Sequence, residues 1–421
     1  MTKHLLRGSL SFPVFLLVLL TFSACKKNKE KEPDGAGNTH PVITSFSPAY
    51  GRENTLVIIN GEGFSKDAEK NTVLFSNNVK AEVVSATATQ LKVKVPAGIA
   101  TGKLSVSVNG VSAQSSTDFV LGPKAVFSFV ATTNTLPGQA KMSFTNHSDN
   151  ALTYEWEFAN GTVATTAVPG DVWYYKTGKF NVQLIARNGN MADTIVKEVS
   201  VTTDNSLTAY YMFSGNSNDA VYGQHGTVSN AVLTTDRYNT ANSAYSFNGT
   251  SSYIRLPDHL IRNTGPATAI SLWFQAADPS ASGAILGYQN AGVGPAATST
   301  DFVSAVYIGT DKKLHAKLWT GAAVVMTPAE EANTDWHHLV LTGNHSGQSL
   351  YIDGVLKGST SDPVDNSLEM LYNQLGVAYA GGVWPKVPST PGWFYFKGKI
   401  DDVRIYNRLL TGSEVMALFN E

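Results

Sequence analysis

Apolar residues in this chain return at every second position, in runs too short for anything but strands. Thr55 to Phe64 (TLVIINGEGF), Ile270 to Gln275 (ISLWFQ) and Ser349 to Gly358 (SLYIDGVLKG) are examples. In a strand, alternate side chains share a face, so such a run can bury one side and wet the other. Turn-forming residues separate the runs, and glycine, threonine, serine, asparagine, valine and aromatics dominate the composition. Long stretches of helical period are missing, so the expected class is all-β, built as sandwiches. At 421 residues one core is too few, and about two to four domains are expected. Cys25 is the only cysteine, so these domains must hold without disulfide bonds.

The start of the chain has the layout of a secretory signal. Lys3, His4 and Arg7 precede an apolar run, Leu10 to Phe22, followed by the small residues Ser23 and Ala24. The run is too short to span a bilayer, and no later stretch reaches that length. The segment TFSAC resembles a bacterial lipobox, with Phe22 where leucine is usual. That resemblance implies removal of residues 1–24 and attachment of a diacylglycerol to the Cys25 thiol. An ordinary signal peptide with an incidental cysteine is the alternative. The lipid reading places the body outside the cytoplasm, anchored to the outer membrane and exposed on the cell surface. Residues 25–40, charged and then rich in glycine and proline, read as a solvated tether.

A formal net charge of -2 with 15% charged residues leaves no basic field for nucleic acid. The expected partner is neutral or mildly polar.

Residues 41–121 open with PVITSFSPAYG, continue through the Gly61 to Phe64 turn and close on Val95 and Pro96. These segments resemble the IPT/TIG family of Ig-like domains. Gly61 and Gly63 are expected to form a tight turn or bulge with Phe64 in the core. Residues 124–203 carry YEWEFANGT at Tyr154 to Thr162 and WYYKTGKFNVQLIARNG at Trp173 to Gly189. They resemble the PKD family, another Ig-like sandwich, although Glu157, Ala159 and Asn160 depart from its usual Trp-Asp-Phe-Gly-Asp-Gly. Trp156 and Phe158 are expected to face inward, and Glu155 and Glu157 outward. In both families such domains usually act as spacers or protein-contact modules.

Residues 206–421 carry LTAYYMFSGNSNDAVYGQHG, AISLWFQ, DWHHLVLTGNHSGQSLYIDGVLKG and FKGKIDDVRIYNRLLTGSEVMALF in that order. Together they resemble the LamG-like, concanavalin A-like jelly rolls of bacterial surface proteins. The resemblance implies two large antiparallel sheets packed face to face, and a short helix after Thr411 should close the chain.

Jelly rolls of this kind host lectins, adhesion modules and glycoside hydrolases. No Glu-x-Asp-x-x-Glu run, Gly-x-Ser-x-Gly, His-Glu-x-x-His or phosphate loop is present. Asp401 and Asp402 are consecutive in a strand and should point to opposite faces, which excludes them as a catalytic pair. His337 and His338 fail as a metal pair for the same reason. Binding, not catalysis, is therefore expected.

A lectin surface offers aromatic rings for the C–H face of a sugar and polar groups for its hydroxyls. The segment Ala378 to Phe396, interrupted by glycine and proline, supplies Tyr379 and Trp384 as the expected platform, with Trp393 a further candidate whose strand pattern also suits the core. Trp273, Trp319 and Trp336 are read as core. A structural calcium ion is expected from Asn216 and Asp219, with Asn218 beside them, and from Asp401 at the far end of the domain. Family resemblance brings the first and last strands together; turn chemistry in which these side chains cap their own backbone is the alternative. The whole reads as a surface lipoprotein that binds carbohydrate or polysaccharide through its jelly roll; the alternative is an adhesion or assembly protein whose jelly roll contacts other surface proteins.

Overall fold

The computed structural model describes residues 40–132, 136–261, 267–293, 302–318, 326–328, 332–364, 371–381 and 384–421. Cys25 with its signal segment, and Trp319, lie outside the described residues. Among the described residues no helix is long and apolar enough to cross a membrane. The chain divides into two compact units, 1–120 and 121–421, and it is nearly all β, as the alternation requires.

The first unit is a sandwich. Val42–Ser47, Leu56–Glu62, Gln90–Lys94 and Glu82–Ala86 form one sheet in that order, and Asn71–Leu74, Ser105–Val108 and Val111–Gln114 form a second. Val57, Ile59, Leu91, Val93 and Val106 are the inward alternates and are fully buried. Gly63 sits at φ +74°, a left-handed conformation that favours glycine, and the turn delivers Phe64 to the core, 5% exposed.

The second unit holds two sandwiches. The first packs Phe127–Thr132, Ala140–Asn146 and Asp171–Tyr174 against Val163–Ala164, Thr153–Glu157, Gly178–Asn188 and Met191–Val201. Trp156 and Phe158 stack at 5.8 Å in its core, while Glu155 faces water and pairs with Arg187 across the sheet at 3.1 Å. Alternation about a half-buried strand predicts this placement.

The second sandwich is the jelly roll, with two eight-stranded sheets among the described residues. One sheet centres on Lys397–Tyr406, flanked by Ala244–Asn248, Ala267–Ala276 and Leu207–Tyr211, and continues through Trp336–Asn344 to Val355–Thr360. The other contains Tyr253–Leu256, Tyr372–Leu375, Gly283–Gln289 and Phe302–Ile308. The first strand thus lies on the last, with Tyr210 opposite Arg404 and Tyr211 opposite Val403. The chain closes with the helix Gly412–Phe419, whose amino end carries a reciprocal capping box between Thr411 and Glu414. Beneath that helix a buried cluster including Leu207, Tyr210, Tyr406, Val415 and Leu418 also meets Tyr175 of the preceding sandwich. The Tyr175 ring stands edge-on to Tyr210 at 5.3 Å.

One expectation about this sheet is overturned. Asp401 and Asp402 do not point to opposite faces. Between Ser271 opposite Arg404 and Trp273 opposite Asp401, the last strand carries one extra residue, and Asp402 has φ +53°. This β-bulge resets the alternation, so Ile400 and Val403 both enter the core while both carboxylates emerge on the other face.

Candidate functional site

The segment expected to bind sugar folds back as a hairpin, Val377–Ala380 against Gly392–Tyr395. Ala378 faces the sheet so closely that a Cβ on Gly287 would lie 2.4 Å from its own Cβ; only glycine permits that approach. Ala378, Ala380 and Phe394 belong to the core, and the intervening residues point the other way. Tyr379 and Trp393 are direct register partners, their rings perpendicular, with centroids 5.3 Å apart. Both are half-buried. Edge-to-face contact of this kind stabilises a ring pair by about 0.5–1.5 kcal/mol beyond area burial. Behind them Gln289, fully buried, accepts the N–H of Tyr379 (2.9 Å) and donates to the carbonyl of Ala291 (2.7 Å). The pair is therefore fixed from below.

Trp384 is not part of this surface. It is 7% exposed and stands edge-on to Tyr307 at 6.3 Å. The loop is drawn down just after it: the Tyr307 hydroxyl donates to the Pro385 carbonyl (2.7 Å), and the Thr310 N–H donates to the Lys386 carbonyl (2.7 Å). An indole is too apolar to remain outside once its loop is pinned to the sheet, so this residue is core where the sequence suggested a platform. Trp336 differs in the opposite sense. It lies at a strand end, half-buried, with the Lys399 ammonium 5.9 Å from its ring centre.

The residues expected to hold calcium are engaged elsewhere. Asp219, 5% exposed, accepts four backbone N–H groups: Tyr210 (2.8 Å) and Val221 (3.0 Å) on Oδ1, Tyr222 (2.8 Å) and Gln224 (3.1 Å) on Oδ2. Asn216 accepts the N–H of Asn218 (2.8 Å), an Asx turn. Asp401 and Asp402 bind the two ends of the Arg237 guanidinium, at 2.8 and 3.0 Å. Arg237 is itself sandwiched, 4.6 Å from each of the Tyr238 and Trp273 rings. Asp402 also meets Arg404 at 3.1 Å, and Arg404 pairs with Glu421. Among the described residues no group of three or more His, Cys, Asp or Glu is arranged to hold a metal. Asp219 thus clamps its own loop, and Asp401 belongs to an ion-pair network with Arg237 and Asp402. Arg237 was invisible in sequence because it joins the aspartates from 164 positions away.

His337 and His338 part as alternation requires. His338 is 1% exposed, bonded to the Ser271 hydroxyl at 2.8 Å, and burial pushes its pKa down to about 3. His337 lies between Asp353 (2.8 Å) and Asn333 (2.9 Å) near the surface.

This geometry, two packed sheets closed by the first and last strands, agrees with the family comparison. Residues 248–416 match the Concanavalin A-like lectin/glucanases superfamily. Residues 41–121 match the IPT/TIG domain. The concanavalin A-like fold serves both enzymes and binding proteins. The comparison with curated proteins yields no match. Among solved structures, the chain is similar to domain 4 of a GH43 extracellular arabinanase from Geobacillus stearothermophilus, in complex with arabinotriose. Identity there is 21% over 51% of this chain and 98% of that one, with a TM-score of 0.31. A Trypanosoma rangeli sialidase in complex with sialic acid shares 14% identity over 90% of this chain and 61% of its own, with a TM-score of 0.38. The receptor binding domain of botulinum neurotoxin C/D mosaic serotype shares 12% over 51% of each chain, with a TM-score of 0.33.

Proposed function

We propose that this chain is a lipid-anchored surface protein that captures carbohydrate through its concanavalin A-like domain. The IPT/TIG domain and the sandwich of 124–203, read as a PKD domain, act as spacers. The observation that carries the reading is the Tyr379–Trp393 pair: two half-exposed rings at right angles, held by a buried glutamine. A pyranose can lay its C–H face on one ring while its hydroxyls remain free for amides and water. The charge balance of the chain supports a neutral partner, and Cys25 after its apolar run supports the anchor.

Affinity electrophoresis of the full chain against soluble polysaccharides tests the binding. Trp393→Ala and Tyr379→Ala should each weaken retention by roughly 5- to 150-fold with little change in melting temperature. Retention equal to that of the unsubstituted protein would remove the site. For the anchor, Cys25→Ala should leave the membrane fraction, and persistence there after a high-salt wash would exclude lipidation.

A further inference from the structure

The jelly roll also contains a cleft of about 660 Å³ to which the hairpin of Tyr379 and Trp393 contributes no lining residue. Its size falls in the range of about 300–1,000 Å³ usual for small-molecule sites. The floor is apolar, with Leu260 and Ile405, and the walls include Tyr222, Gln224, Asp258, His259 and Asn407.

Tyr222 is 52% exposed, yet the loop that carries it is firmly held. Besides the four N–H bonds to Asp219, the Tyr211 hydroxyl donates to the Gln224 carbonyl (2.6 Å), and Ser217 donates to the Gly226 carbonyl (2.7 Å). A large ring kept at the surface on a pre-ordered loop loses little entropy when a ligand covers it.

Of the polar side chains in the cleft, Thr208 and Thr268 donate to the carbonyls of Ile405 and Tyr406, and Asn205 accepts the N–H of Thr177; others are uncommitted. Among the described residues, the carboxamides of Gln224 and Asn407, the His259 imidazole and the Tyr222 hydroxyl have no hydrogen-bond partner. The charged group is already neutralised: Asp258 accepts from Arg255 at 2.7 Å. Among the described residues no lysine or arginine lines the cleft.

From an exposed ring on a held loop and free amides around it, we infer that this cleft is a second binding site, for an oligosaccharide. Tyr222 covers the apolar face of one sugar, while Gln224, His259 and Asn407 bond its hydroxyls. The inference rests on the reading of the jelly roll as a carbohydrate module and adds a second site to it.

The test uses the full chain with soluble arabinan, xylan, laminarin and anionic polygalacturonate. Tyr222→Ala should weaken retention by a neutral polymer about 10-fold at unchanged melting temperature. The double variant Gln224→Ala/Asn407→Ala should do the same, and Tyr222→Ala combined with Trp393→Ala should lose more than either alone. If both cleft variants bind normally while Trp393→Ala does not, the cleft inference falls and the proposed function stands. If the unsubstituted protein is retained by none of the four, both fall.

Discussion

Asp401 and Asp402, neighbours in one strand, hold opposite ends of the same guanidinium, Asp401 at 2.8 Å from Nη1 and Asp402 at 3.0 Å from Nη2 of Arg237. Consecutive strand residues cannot normally do this. The extra residue at the bulge allows it, and the result is a buried network of Asp401 and Asp402 with Arg237 and Arg404, the last also paired with Glu421; burial and the neighbouring Asp402 charge push the Asp401 pKa up to about 8. Removing one cation strands charge in a low dielectric. Arg237→Met should therefore destabilise the protein by about 3 kcal/mol in denaturant unfolding, and adding Asp401→Asn should restore part of the loss. Unchanged stability in the single variant would show that the carboxylates carry no net charge.

His338 makes stability depend on acid. Its folded pKa of about 3 lies below the usual value near 6.5. Between the two, the unfolded chain binds more protons than the folded one, so stability rises with pH across that window. The contribution is complete above about pH 6.5 and is lost as pH falls toward 3. Thermal midpoints measured from pH 7 down to pH 4 should fall less steeply in His338→Phe, which keeps a ring beside Trp273. Equal slopes would exclude this histidine as the sensor.

Trp384 and the Tyr379–Trp393 pair should separate stability from binding. Trp384→Ala opens a cavity and should cost roughly 3 to 5 kcal/mol. The two surface variants should leave thermal unfolding nearly unchanged and lower polysaccharide retention. A Trp384→Ala protein of normal stability but poor retention would return that ring to the site.

Asp219 should matter as a clamp. Asp219→Ala leaves four N–H groups without their acceptor and should destabilise the protein by about 2 kcal/mol, with looser binding in the neighbouring cleft. Calcium would have to displace those donors or Arg237, so the thermal midpoint should be the same with calcium and with chelator. A calcium-dependent rise that Asp219→Ala abolishes would instead establish a metal site.

Alternation alone separates Trp156 from Glu155, and His338 from His337, because in a half-buried strand parity decides which face a residue takes. The same rule fails at Asp402, where one inserted residue changes parity, and no local signal in GKIDDVRIY marks the insertion. It also says nothing about Trp384. Whether a loop aromatic is wet or buried depends on what the loop meets, here Tyr307 and Thr310, more than seventy positions away.

By itself, the sequence determined what depends on near neighbours: the all-β class, the inward and outward faces of regular strands, the short closing helix, the turn that delivers Phe64. Tertiary structure alone decided what depends on distant chain meeting in space. It gave Asp219 four backbone N–H donors and Asp401 a guanidinium partner, and it brought Tyr222, His259 and Asn407 to one cleft. The physical reason is that strand periodicity is a property of the backbone, while a site is made of side chains whose partners are chosen by packing, desolvation and charge across long loops.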